Sequence, residues 1–510
     1  MLTRLKVSGF KNLVNVDVRF GPFTCIAGPN GVGKSNLFDA IRFLSALADR
    51  PLMEAALTVR GDENGGRMAD VRSLFQRYGD QYASEMTFEA EMIVPSKGED
   101  DLGESAKATT TFLRYSLVLA YRKDENLGSL GSLDILREHL TYLTKGDAPK
   151  HLLFDHKLAW RNSAIRGRRA GKDYISTEDQ AEGRIIKLHQ DGRHGRPLSR
   201  LAKNLPRTVL SATNAAESPT ALLARREMRS WRLLQLEPSA LRKPDEFSAP
   251  TKLGSYGSHL AATLYRLAYQ NSHKGARNAH NPEVCARVAN RLANLIDDVY
   301  RVSIDRDEKR ELLTLNVMGR DKTPHAARSL SDGTLRFLAL AVLEQDPEVQ
   351  GVLCLEEPEN GIHPGRIPAM IKLLQDIVTD MEEPVSEDNP LRQVIVNTHS
   401  PAVVQQVPED TLLLAEPRES ISEGRRFNSV RFSCLSDTWR VVKSQDKVDT
   451  CKMGDLLYYL NPVLPSEYLM MEDATQVRTP QKKNRHARPV RVVDRPDVVP
   501  YLPYQSQSLG

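Results

Sequence analysis

Two spacings of apolar residues alternate along the chain. Short apolar runs at Phe23–Ala27, 352–355 and 394–396 have the length of central strands covered on both faces. Helical spacing follows the first run (Leu37, Ile41, Phe43, Leu44, Leu47) and returns at 260–267, at 284–296 and at Leu335, Leu338, Ala339 and Val342. Strand-like alternation over 85–94 and 111–121 predicts antiparallel sheet, with 97–103 as a polar loop between them. A helix is expected over 222–236, ahead of Glu237-Pro238, and short ordered pieces at 438–442 and Met453–Leu460. No heptad repeat runs through the middle of the chain, which argues against a long coiled coil. The pattern predicts an α/β fold with a mixed central sheet, a flanking antiparallel β lobe and an α-rich insertion.

At 510 residues the chain exceeds one typical domain and can bury a large core. The expected divisions are 1–145, 146–250 (the insertion, basic and partly helical), 251–420, a closing subdomain at 421–474, and a basic tail at 475–510 that is disordered or folds on a partner. Net charge is only +4, so no global field forces nucleic-acid binding. Arginine and lysine crowd one stretch nonetheless: Arg161, Arg166, Arg168, Arg169, Lys172, Arg184, Lys187, Arg193, Arg196, Arg200 and Lys203, with Trp160 and Tyr174 nearby for stacking. Acidic residues are interspersed there (Asp173, Glu178, Asp179, Glu182), so a nucleic acid and a protein partner weigh equally. The five cysteines have no metal or redox spacing, no apolar run approaches a membrane span, and Met1 opens directly into a strand; a cytoplasmic protein is expected.

Four phrases carry the chemistry. Gly28-Pro-Asn-Gly-Val-Gly-Lys34-Ser35 fits GxxxxGK[ST] between an apolar strand and a helical pattern. Asn30, Gly31, Gly33 and Asn36 belong to this cradle: glycines let backbone N–H groups turn toward phosphate oxygens, and the helix N-terminus adds its dipole. Lys34 would reach the outer phosphates of ATP, and Ser35 would offer its hydroxyl to Mg2+. In Leu330-Ser-Asp-Gly-Thr334, Ser331 and Gly333 open another helix, as an N-cap and as a second anion cradle at once. Val352-Leu-Cys-Leu-Glu356-Glu357-Pro-Glu359 is a buried strand ending in carboxylates, where open α/β sheets bind ligands. Glu356 can join the Mg2+ shell and Glu357 can polarise the attacking water. His399, after the run at 394–396, can contact the γ-phosphate or orient that water. Gln76 either reports on Mg2+ from a loop or serves as a structural cap.

This set resembles the ABC-type ATPase heads of the SMC, RecF and OLD class. Leu330-Ser-Asp-Gly-Thr is similar to the ABC signature, Glu356-Glu-Pro-Glu-Asn-Gly-Ile-His-Pro364 to its Walker B and D-loop, Thr398-His-Ser-Pro401 to its switch-histidine phrase, and Leu5-Lys-Val-Ser-Gly-Phe10-Lys-Asn12 to its opening strand. The resemblance covers about the first eighty residues and 250–420. Two residues depart from the pattern: Glu356 stands where the class usually has Asp, and Asp332 where transporters have Gly. The resemblance implies an ATPase using ATP and Mg2+, whose signature loop caps the nucleotide held by a second head, hence at least a head-to-tail homodimer.

After His399 no cluster of metal-binding carboxylates like that of a Toprim nuclease follows, and the histidines are scattered, so an intrinsic nuclease is not expected. The span from Ser35 to Leu330 is too long for a transporter ATPase. Heads of this kind without an effector occur among ATPase subunits of anti-phage systems such as Septu and PARIS, which control a nuclease or toxin encoded beside them. The resemblance thus implies a regulatory ATPase with an effector partner and no membrane. The alternatives are a RecF- or SMC-like repair ATPase that binds DNA directly, and a scaffold that binds ATP and hardly hydrolyses it.

Overall fold

A computed structural model describes residues 1–59, 71–123, 131–167, 171, 173–181, 183–191, 196–203, 205–269, 282–422, 425–460 and 491–495. The chain forms two compact units, one of Met1–Arg232, Thr379–Gln393 and Leu413–Cys451, the other of Leu233–Val378, Val394–Leu412 and Lys452–Gly510.

The first unit opens with β1 (Leu2–Ser8), β2 (Val16–Arg19), β3 (Phe23–Ala27), α1 (Lys34–Leu47) and α2 (Leu52–Thr58). It continues through β4 (Arg77–Tyr78), β5 (Gln81–Tyr82), β6 (Glu85–Ile93), β7 (Lys97–Glu99), β8 (Ser105–Lys107), β9 (Phe112–Arg122) and β10 (Ser132–Tyr142). Then come α3 (Ala148–His151), α4 (Leu158–Ala164), β11 (Ile175–Gln180), β12 (Gly183–Leu188), β13 (Leu198–Leu201) and α5 (Pro219–Arg229). An eight-stranded sheet in the order β13-β12-β11-β10-β9-β6-β1-β2 dominates it, antiparallel throughout. The expected β lobe is thus present, in register from Glu85 opposite Ala120 to Ile93 opposite Phe112. Helix α1 buries Leu37, Ile41, Phe43, Leu44 and Leu47, and Phe43 joins Phe10 and Phe88 with ring centroids 5.5–5.9 Å apart. A second nucleus gathers Ile93, Phe112, Phe154, Trp160 and Trp439.

The second unit holds β14 (Arg232–Leu234), whose first residue belongs to the first unit, α6 (Pro238–Leu241), β15 (Asp245–Glu246), α7 (Leu260–Tyr269), α8 (Pro282–Ala293), β16 (Val299–Asp307), β17 (Leu312–Gly319) and β18 (Pro324–Ala326). After these come α9 (Asp332–Gln345), β19 (Gly351–Glu356), α10 (Ile367–Ile377), β20 (Arg392–Thr398), whose first two residues belong to the first unit, and α11 (Pro401–Gln406). In sheet order β14, β19 and β20 are neighbours, and β15, β17 and β16 make a separate antiparallel sheet with β18 at its side. The chain then supplies the first unit with β21 (Leu412–Ser422), β22 (Arg425–Ser433) and α12 (Trp439–Val442), and the second with α13 (Met453–Leu460). β19 and β20 are buried almost throughout, as their apolar runs require.

Several expectations are corrected. The stretch expected to be a partly helical insertion has helices, among them α3, α4 and α5, and also carries three unexpected strands, β11–β13, that extend the lobe's sheet. Ile175 and Thr177 on β11 and Ile186 and Leu188 on β12 favour strand, each pair at a spacing of two, and that overrides the local charge. The helix expected over 222–236 ends at Arg229, and 232–234 is a strand. The loop at 97–103 is half of a small hairpin, β7–β8. Residues 421–451 group with the first unit and the segment from Lys452 with the second, rather than forming one closing subdomain. Trp160 and Tyr174 are fully buried, so neither ring is available for stacking on bases. Within the basic stretch, Arg184 pairs with Asp179 and Lys187 with Glu178, while Arg168, Arg169, Lys172 and Arg193 lie outside the described residues. The tail reading also lies outside them, apart from 491–495.

Candidate active site

The phosphate cradle is built in the first unit. β3 delivers the chain to Gly28, where a side chain would strike the Ala415 carbonyl at 2.4 Å, so glycine is required. Gly33 has φ +114 and packs on Asn12, whose amide would lie 2.4 Å from an added Cβ. Asn12 itself donates to the Val32 carbonyl at 2.9 Å and accepts from Asn36 Nδ2 at 2.8 Å, fixing the loop's inner wall. Lys34 is buried and donates to the Gly28 and Pro29 carbonyls at 2.6 and 2.9 Å, so its ammonium sits inside the loop. Lys11 pairs with Asp39 one turn further on. The N–H groups of Asn30, Gly31, Val32 and Gly33 have no protein acceptor among the described residues, and the Ser35 side chain is exposed at the helix start. Unsatisfied donors at a helix N-terminus around a buried ammonium fit the phosphates of a nucleotide. Gln76 is buried, and its backbone is tied to Gly9 and Ala83.

The remaining site residues belong to the second unit. Glu356 ends β19; its Oε2 accepts from Gln235 Nε2 at 2.6 Å and its Oε1 from Asn397 Nδ2 at 3.4 Å. Glu357 follows with φ +45, a left-handed conformation that costs a non-glycine residue about 1–3 kcal/mol. Its N–H is held by the Asn397 carbonyl and side-chain oxygens at 3.1 and 3.2 Å, which fixes the strained turn. The turn swings the Glu357 carboxylate onto His399, with Oε1 2.7 Å from Nδ1, while Oε2 accepts from Asn360 Nδ2 at 2.9 Å. Glu359 is buried and accepts from the Thr398 hydroxyl; burial pushes its carboxyl above the usual range. Thr398 Oγ1 in turn accepts from Ser400 N–H at 2.9 Å, so the turn around His399 is clamped on both sides.

The signature loop is locked to the same carboxylate loop. Ser331 caps α9, accepting from Thr334 N–H at 3.3 Å. Gly333 touches the D-loop so closely that a Cβ would lie 2.1 Å from the Gly361 carbonyl oxygen, and Gly361 itself has φ +80. Arg336 donates to the Asn360 carbonyl at 2.6 Å, and Arg242 grips the Leu330 carbonyl and Asp332 at 3.0 and 2.5 Å.

The structure therefore gathers Glu356, Glu357 and His399 around Asn397 and sets Ser331 and Gly333 on the same loop system; in the first unit it brings Asn30, Gly31, Gly33, Lys34, Ser35 and Asn36 into one loop and helix start, where Asn12 touches Gly33 and bonds Val32 and Asn36. Sequence reasoning missed Gln235, Asn397, Asn360 and Arg242. Asn397 lies two residues before His399 and was open to discovery; Gln235 follows an unremarkable short strand and carried no signal. Among the described residues no group of His, Cys, Asp and Glu forms a metal cluster. The Ser35 hydroxyl of the first unit and the Glu356 carboxylate of the second are each oxygen donors of the kind a hard cation such as magnesium takes.

A glycine loop opening a helix, a serine-capped helix packed on a carboxylate loop, and a histidine just past a buried strand define an ABC-type P-loop ATPase head. Residues 152–405 match the family described as "AAA domain, putative AbiEii toxin, Type IV TA system". Residues 1–103 match the RecF/RecN/SMC N terminal domain. Over these two stretches the chain is similar to ATPases of the SMC/RecF-like ABC kind. The DNA replication and repair protein RecF of Clavibacter sepedonicus is 26% identical over 231 residues, 43% of this chain and 55% of that protein. RecF of Porphyromonas gingivalis is 34% identical over 77 residues, 15% and 20% of the two chains. The chromosome partition protein Smc of Halothermothrix orenii is 42% identical over 72 residues, 14% and 5%. The chain thus spans about half the length of the first of these relatives and less of the others. Among solved structures, an Smc head bound to the C-winged helix domain of ScpA is similar over 85% of this chain and 98% of that one, at 13% identity and a TM-score of 0.43. The SMC head domain from Thermotoga maritima gives the same coverage at 11% identity and 0.34. No helix among the described residues is long and apolar enough to cross a membrane.

Proposed function

We propose that this protein binds ATP with Mg2+, hydrolyses it, and uses the cycle to control a partner nuclease or toxin in prokaryotic anti-phage defence, in the cytoplasm. The observation that carries hydrolysis is the Glu357–His399 pair, 2.7 Å apart on a strained and fully braced turn. A carboxylate so held can take a proton from water, and the imidazole can steer the water or the γ-phosphate. Magnesium would supply charge neutralisation for the phosphates; Lys34 and the loop N–H groups hold them in place. Lys34→Ala is expected to abolish ATP binding, while Glu357→Gln keeps ATP and loses turnover. Hydrolysis at the wild-type rate by Glu357→Gln would remove Glu357 from this role.

The proposal includes a composite site between two chains, since Ser331 and Gly333 form an anion cradle of their own. A Lys34→Ala chain keeps that cradle, and a Ser331→Arg chain keeps its P-loop. Each alone should be inactive, and mixing them should restore a fraction of wild-type activity. Failure to recover after proven subunit exchange, with normal turnover by a forced monomer, refutes the sandwich.

The effector reading draws support from the toxin-antitoxin description of the family matched over 152–405. The RecF similarity favours a second reading, a repair ATPase that binds DNA directly. Purification with the product of the neighbouring gene separates the two. A stable complex with a nuclease or toxin supports the first, and tight DNA binding without such a partner supports the second.

A further inference from the structure

In the first unit a pocket of about 140 Å3 opens between β2, β22 and the segment 444–449. Its floor is an arginine cradle. Arg4 and Arg19, each less than a tenth exposed, converge on Asp446, whose Oδ2 lies 2.9 Å from a guanidinium nitrogen of each. Arg4 is also held by Asp17 at 2.5 Å. Two buried guanidinium groups closing on one oxygen is the geometry by which proteins grip carboxylate or phosphate. The group they grip here sits on an exposed segment, and the hydrogen bond from Arg19 keeps its carboxyl below the usual range.

Asp446 fills only the floor. Arg418 and Lys447 also line the pocket, are exposed, and have no carboxylate partner among the described residues. Arg431 and Arg440 complete the basic wall, against Asp17, Asp446 and Asp449. Arg431 is paired with Glu416 at 2.7 Å outside this lining, so five cations are left against three carboxylates and the pocket retains positive charge after its internal pairs are made. A volume of about 140 Å3 corresponds to four or five waters, which suits one or two phosphate groups and is small for a whole nucleoside. The pocket is also distinct from the P-loop: Arg19 ends β2 just before β3 begins, whereas the P-loop follows the far end of β3.

We propose that this pocket binds a small molecule carrying one or two phosphate groups, and that Asp446 is the internal anion that holds the cradle when the ligand is away. The site does not depend on the hydrolysis reading. The probe is inorganic pyrophosphate, titrated calorimetrically without divalent metal into the full-length Lys34→Ala protein, so that the P-loop does not contribute. Binding is expected, and Arg418→Glu with Lys447→Glu added should weaken it by about tenfold or more. Asp446→Asn should tighten it about fivefold by removing the competing charge. Asp179→Asn makes the same charge change on β11 and should leave affinity unaltered; circular dichroism of each variant checks that it is folded. Absence of pyrophosphate binding, or binding indifferent to Arg418 and Lys447, overturns the proposal. So does equal tightening by Asp179→Asn, which would mark a response to net charge alone. If a short DNA duplex binds through Arg418 and Lys447 while pyrophosphate does not, the pocket belongs to a nucleic-acid backbone and the small-molecule proposal falls.

Discussion

Glutamate in place of aspartate at 356 should make catalysis depend on Gln235. The amide of Gln235 donates to Glu356 Oε2 at 2.6 Å. Shortening the side chain by one methylene withdraws the carboxylate by about 1.5 Å and lengthens that separation to about 4 Å, beyond hydrogen-bond reach. Hydrogen bonds to charged groups contribute roughly 1.5–3 kcal/mol, and the half-exposed setting of Glu356 puts this one at the lower end, about 1.5 kcal/mol. That corresponds to about a tenfold change. Glu356→Asp and Gln235→Ala should therefore each lower kcat/KM for Mg·ATP about tenfold and weaken Mn2+ binding to the nucleotide complex. The double variant should lose little more than either single one, because both remove the same bond. The assay is a double-mutant cycle with steady-state ATPase and a Mn2+ titration read by magnetic resonance. Losses that multiply to about a hundredfold, or a Gln235→Ala protein within twofold of wild type, would refute the argument.

Gly333→Ala would drive a methyl group against the Gly361 carbonyl, 2.1 Å from an ideal Cβ; overpacking of this kind costs about 1–3 kcal/mol. ATP binding by the P-loop should survive, hydrolysis should fall, and the melting temperature should drop; an unchanged melting temperature would contradict the packing. Glu138 is a fully buried residue of β10, where burial raises its carboxyl to about 7 although it accepts from the Val209 and Leu210 N–H groups. The native state then binds this proton more tightly than the unfolded chain does. The group's contribution is present at acid pH and is lost as pH rises from about 4.5 to 7, by roughly 3 kcal/mol. Urea unfolding of wild type and Glu138→Gln across that range should show a slope in the first that the second lacks.

The strands that carry chemistry were legible because burial on both faces leaves an apolar run, broken only by the buried Thr24 at Phe23–Ala27 and unbroken in the core of β19 and β20. Helix starts were legible where a cap and a glycine announce them, as at Ser331 and Gly33. β11–β13 were not, because their exposed faces carry the charges that made the stretch look like a basic insertion. Trp160 and Tyr174 misled for a related reason: aromatic residues beside arginines mark a stacking surface only when the rings are exposed, and sequence does not report exposure. Gln235 was invisible because its role is set by pairing in space with a residue 121 positions away. The left-handed turn at Glu357 was equally hidden, since no glycine or asparagine marks it.

β13 ends the eight-stranded sheet with four exposed residues, Arg200 standing between the leucines at 198 and 201. A charge in that position discourages another chain from adding a strand. Inside it, β10 is eleven residues long and leans on β11 through few groups: Thr177 bonds the N–H and carbonyl of Glu138, and Tyr174 N–H bonds the Leu140 carbonyl. Anyone trimming the protein for crystals or for expression would be drawn to delete 173–201 as an ornament. The trimmed molecule would leave the outer border of β10 without a neighbour, its backbone groups open to a strand from another chain, and the gain in simplicity would be repaid in aggregates.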